Sequence, residues 1–126
     1  SNRTSFDVDF KNKTTYLYQI GQGSKGLYIK ETGKKYRIQL VKYRDQKHLT
    51  PFIQKLEGIL KNNRIEDKIY VRFESGFIYV YVGEFDSKTG SIETLLKKLQ
   101  GLNSLKETLN KGSEVDNMKH IKIIQK

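Results

Sequence analysis

The chain has 126 residues, 36% of them apolar, with a net charge of +10 at neutral pH. That supports one modest core and not two, so one domain, or one domain with an extension, is expected. The absence of cysteine excludes disulfides, thiol catalysis and thiolate metal sites, and no apolar run is long enough to cross a membrane.

The opening "SNRTSF" reads as an expression remnant ahead of native sequence, so the lack of a signal pattern leaves the compartment open. Residues 1–13 are polar and read as a flexible segment, although "FDVDF" alternates and can add an edge strand. Residues 14–34 read as a β-hairpin: "TTYLYQI", a "GQGSKG" turn, then "LYIKE". "ETGKK" turns into "YRIQLVKY" (36–43), a strand. Thr50 is a candidate N-cap, with Pro51 at the first helical position. Leu49, Phe52, Ile53, Leu56, Ile59 and Leu60 then form one apolar stripe at helical spacing.

"KIYVRFES" (68–75) is the next strand, and the tight "SG" turn leads straight into "GFIYVYVGEF" (76–85), an antiparallel hairpin. Ser91 is a candidate cap for a second helix carrying Ile92, Leu95, Leu96, Leu99 and Leu102. Residues 102–117 either extend that helix or form a short third one. "HIKIIQ" (120–125) closes as a strand.

The order from residue 35 to residue 126 is βαββαβ. The expected fold is therefore α+β: a four-stranded antiparallel sheet with two helices on one face, the RNP or ferredoxin-like arrangement, plus the N-terminal hairpin. Right-handed crossovers place the first and third strands in the centre. This gives the unbroken run in "GFIYVYVGEF" a meaning. Ile78, Val80 and Val82 belong to the helix-covered face, and Phe77, Tyr79 and Tyr81 to the open face, a candidate recognition surface. The competing expectation is that the hairpin or a second copy covers those rings.

Catalytic signatures are lacking. His48 and His120 lie far apart with no metal-ligand spacing, and the Asp7/Asp9 and Glu114/Asp116 pairs read as solvated charges. "GQGSKG" matches a dinucleotide fingerprint literally, yet it leads into a strand and not into the helix N-terminus that would hold a pyrophosphate. No catalytic residue, metal site or cofactor is expected, and a binding module is favoured over an enzyme. The charge invites a polyanion. Only five of the 24 basic residues are arginine, though, and phosphate sites favour arginine for its bidentate geometry.

Two families share this arrangement. "SGFIYVYV" resembles the third-strand signature of RNA-recognition motifs at Gly76, Phe77, Tyr79 and Val80, but Ser75, Ile78 and Val82 depart from it. From about Lys35 to Gln125 the chain resembles the SPOR domain, a bacterial peptidoglycan-binding module. "YRIQLVKY" is similar to a first strand with glutamine at Gln39. "VGEF" stands where "VGPF" is usual, after the aromatic Phe77, and "HIKII" matches the last strand.

That resemblance implies non-catalytic binding of peptide-stripped peptidoglycan glycan strands at division sites. It implies a larger parent protein in the bacterial cell envelope, secreted or held by an anchor elsewhere in its chain, with cell-division or envelope proteins as further partners. It would make Gln39 a hydrogen-bonding residue to sugar groups, Phe77 a stacking platform, and Tyr79 and Lys42 neighbours in the groove. Ile121 would line the groove from the last strand, although Ile121 and Ile123 share a face and must point the same way. Glu84 replaces the usual proline, 102–117 is longer than the usual connection, and the hairpin has no counterpart.

The residue chemistry agrees, since sugars offer apolar faces to rings and hydroxyl edges to amides and charges. Gln39, Arg72, Phe77, Tyr79 and Tyr81 supply both. Single-stranded RNA is the second expectation, because bases also stack on exposed rings. A protein–protein adaptor surface is the third.

Overall fold

The computed structural model describes residues 15–21, 25–44 and 49–126. Six strands, β1 (Thr15–Ile20), β2 (Gly26–Tyr28), β3 (Tyr36–Tyr43), β4 (Ile69–Glu74), β5 (Phe77–Phe85) and β6 (Lys122–Gln125), form one sheet in the order β2-β1-β4-β5-β3-β6. Every adjacent pair is antiparallel. Helices α1 (Leu49–Asn62), α2 (Ser91–Gln100) and α3 (Asn103–Asn110) complete the α+β architecture, with a 3-10 turn at Asn117–His120.

The expected four-stranded sheet is thus corrected to six strands. The hairpin is not an appendage: β1 continues the sheet beside β4, from Thr15 opposite Glu74 to Gln19 opposite Tyr70. Its Tyr18 and Ile20 are buried in the main core. Residues 102–117 hold a separate third helix, broken from α2 at Gly101 and Leu102. The "FDVDF" segment, His48 and the centre of "GQGSKG" lie outside the described residues.

The main core lies between the helices and one sheet face. Leu49, Ile53, Leu56 and Ile59 of α1, Ile92 and Leu99 of α2, and Leu105 of α3 meet Ile38, Val71, Phe73, Ile78, Val80 and Val82. The helical stripes put these side chains on one side, and burying them out of water drives the packing.

Local signals fix the ends. Ser75 and Gly76 both have positive φ, 53° and 81°, in the two-residue turn of the β4–β5 hairpin, the geometry that matches strand twist. Arg64, at φ 57°, ends α1 in the left-handed conformation where glycine is usual. Its N–H donates to the Lys61 carbonyl and that of Ile65 to the Leu60 carbonyl. Helix α2 is capped by Gly90 and not by Ser91: Glu93 reaches back and accepts from the Gly90 N–H at 3.0 Å.

Candidate functional site on the open sheet face

The face away from the helices divides into a covered half and an uncovered half. The division follows from the strap of residues 29–35, which leads from the hairpin into β3. The Ile29 N–H donates to the Leu17 carbonyl at 3.0 Å and the Lys35 N–H to the Phe85 carbonyl at 3.1 Å. Beneath and beside the strap lies a second apolar cluster of Leu17, Tyr70 and Tyr81, joined by Ile29, Tyr79 and Ile124.

Arg37 is the centre of the covered half. Its side chain is fully buried, and its guanidinium lies 5.2 Å from the Tyr70 ring centre and 5.5 Å from that of Tyr81. It donates to Glu84 at 2.7 Å and, more loosely, to Glu31 at 3.4 Å. Glu31 also pairs with Arg72 and with Lys126, and Thr32 Oγ1 donates to Glu84 at 2.7 Å. Burial pushes the Glu31 carboxyl up, but Arg37, Arg72 and Lys126 together hold it below the ordinary carboxylate range. Glu84 is lowered in the same balance, burial opposed by the hydrogen bonds from Arg37 and Thr32. Burial raises the Tyr81 hydroxyl, despite the neighbouring Arg72.

The uncovered half holds Phe77 and Tyr79, both half-buried, with exposed Lys42 and Arg44 over them, while Gln39 stands opposite Tyr81 at the boundary with the covered half. Lys42 Nζ lies 4.4 Å from the Phe77 ring centre and 5.4 Å from that of Tyr79, and the Arg44 guanidinium lies 4.4 Å from Phe77. Phe77 and Tyr79 are tilted at 6.3 Å, and Tyr79 is parallel to Tyr81 at 6.2 Å. Lys122, opposite Gln39 on β6, is exposed at the rim. Rings, an amide and cations together can receive a ligand with flat apolar faces, hydrogen-bonding edges and negative charge.

Lys42, Phe77 and Tyr79 are therefore brought together, and Gln39 lies on the same face at its boundary, opposite Tyr81. Three other expected residues are not available at this surface. Tyr81 is 5% exposed because the strap and Leu17 pack over it. Arg72 is engaged by Glu31. Ile121 is 3% exposed in the helix-side core, and Ile123 packs against that same core; Ile124 takes the open side instead.

Sequence reasoning missed Arg37 and Arg44. Arg37 alternates with Gln39 on β3, which placed it on the open face in principle. Its burial depends on the strap, which no periodicity signals. Among the described residues no group of three or more His, Cys, Asp or Glu side chains is gathered to hold a metal, and no helix is long and apolar enough to cross a membrane. Comparison of the chain with protein-family models, with curated proteins and with solved structures gives no match.

Proposed function

We propose that residues 35–126 form a SPOR-like βαββαβ unit that binds peptidoglycan glycan strands stripped of their peptides, targeting a larger cell-envelope protein to where such strands occur. The contiguous strands β4-β5-β3-β6, with β3 and β5 between the other two, support this grouping. One observation carries the binding assignment: Phe77 and Tyr79 remain partly accessible beside Lys42, with half-buried Gln39 on the same sheet face opposite Tyr81. In this assignment Phe77 stacks on a sugar face, Gln39 hydrogen-bonds the N-acetyl or hydroxyl groups, and Tyr79 and Lys42 border the groove.

Retention on purified sacculi tests it. Enrichment is expected on sacculi treated with an amidase that removes stem peptides, over untreated sacculi; equal or absent retention overturns it.

A second reading, single-stranded RNA binding, is favoured by Lys42 and Arg44 lying over the Phe77 ring. It requires oligonucleotide affinity that falls steeply with salt, and flat titrations at low salt dismiss it.

A further inference from the structure

We propose that Glu31 occupies a carboxylate-binding site formed by Arg37, Arg72 and Lys126, and that a carboxylate on the bound glycan takes its place, lifting the strap and lengthening the groove over Tyr81 and Tyr70. The inference rests on the glycan reading and names the acidic sugars of the strand as the part recognised.

Three observations carry it. The first is charge. Among the described residues three cations, Arg37, Arg72 and Lys126, meet only two carboxylates, Glu31 and Glu84. Glu84 is 9% exposed and tied to Arg37 at 2.7 Å, while Glu31 is 42% exposed yet shared among all three cations. Glu31 is therefore the carboxylate that an incoming anion reaches. One carboxylate replacing another conserves the ion pairs, so the exchange does not strand a buried cation, which is the costly alternative.

The second is Arg37 itself. It is fully buried, and its Nε has no hydrogen-bond partner among the described residues. A buried guanidinium normally fills its donor positions. Glu31 thus satisfies the site incompletely, approaching Arg37 no closer than 3.4 Å.

The third is how the strap is held. Its ends are pinned by the backbone bonds of Ile29 and Lys35. Between them the attachments run through side chains: Glu31 to its three cations, Thr32 Oγ1 to Glu84, and Lys126 Nζ to the Thr32 carbonyl at 3.2 Å. Removing Glu31 from the cations releases most of this clasp. The released surface continues the stack already exposed, because Tyr79 and Tyr81 lie parallel across the boundary. An internal competitor lowers apparent affinity by the fraction of molecules that are open. The strap therefore keeps the cations paired in the free protein and selects for ligands that carry their own carboxylate.

The test uses the whole chain and a peptide-free tetrasaccharide of alternating N-acetylglucosamine and N-acetylmuramic acid. Its lactyl carboxylates are either free or methyl-esterified, and binding is followed by calorimetry. Wild type should bind the free acid more tightly than the ester. Glu31→Gln should strengthen the free acid by roughly fivefold or more and the ester by less. In wild type, which needs no substitution, the ring protons of Tyr70 and Tyr81 should show nuclear Overhauser contacts to the sugar when the free acid is bound. Equal affinity for the two forms, a weaker free-acid complex in Glu31→Gln, or no sugar contact at the Tyr70 and Tyr81 rings would each overturn the exchange while leaving the glycan reading intact. No binding of either form by wild type overturns that reading and this inference with it.

Discussion

Gln39 and Lys42 stand on the same face of the sheet, opposite Tyr81 and Tyr79, although they are three positions apart. Strict alternation would put them on opposite faces. The register moves from Gln39 opposite Tyr81 to Val41 opposite Val80, so Leu40 is an extra residue in β3. This bulge sends Leu40 and Val41 both toward the helix side and turns Lys42 outward. It assembles the uncovered site from a strand that could not otherwise supply both residues.

Substitution of the site residues should separate binding from folding. Phe77 and Gln39 are half-buried and outside the main core. Phe77→Ala and Gln39→Ala should each weaken binding to peptide-free glycan by about tenfold, the equivalent of ~1.4 kcal/mol. Thermal midpoints should change by only a few degrees, near the limit of about 1 kcal/mol typical of such positions. A parallel loss of folding would assign Phe77 to the core.

Gly83 carries the second irregularity. Tyr36 pairs with Phe85 and Ile38 with Val82, so β5 has an extra residue there. Gly83 adopts φ 78°, and a Cβ built on it would lie 2.6 Å from the Phe85 ring. After this point Glu84 joins Arg37 on the open face while Phe85 packs on the helix-side core. Gly83→Ala should destabilise the fold by about 1–3 kcal/mol in urea denaturation, through strain at a positive φ and the displaced ring. An unchanged midpoint would mean the bulge relaxes freely.

The two carboxylates at Arg37 should differ sharply in stability effect. Glu84→Ala leaves a buried guanidinium with only its long contact to Glu31, a loss of about 3 kcal/mol or more. Glu31→Gln removes pairs made at a 42% exposed side chain and should cost under about 1 kcal/mol. Chemical denaturation of the two variants checks the order, and equal losses would contradict the picture of a loosely held strap.

Acid should loosen the covered half. Glu31 and Glu84 both have folded-state values below their ordinary 4.5. Their contribution is therefore present above the unfolded value and is lost as pH falls through the lowered folded values. The thermal midpoint should stay level from neutral pH to about 5 and decline below 4.5. In Glu84→Gln the decline should be shallower. A midpoint that rises on acidification would contradict the sign.

Much of the fold was legible because its signals are local. The apolar stripe of α1, the Ser75–Gly76 turn, and the alternation of Ile78, Val80 and Val82 against Phe77, Tyr79 and Tyr81 all follow from neighbours in sequence. What was not legible depends on contacts distant in sequence. The burial of Tyr81 and Arg37 comes from a strap whose Glu31 meets Arg72 across 41 positions. Ile121 follows from where the last strand joins β3, with Ile123 opposite Ile38 on the core side. The bulges at Leu40 and Gly83 are register events between strands, and only the glycine leaves a trace in the sequence.

The most direct measurement is a titration of the isotope-labelled chain with peptide-free glycan, followed by backbone and side-chain chemical shifts. The largest changes should fall on Gln39, Lys42, Phe77 and Tyr79, leaving the outer surfaces of α1 and α2 unmoved. Changes centred on the helices, or none at saturating glycan, would contradict glycan binding at the open sheet face.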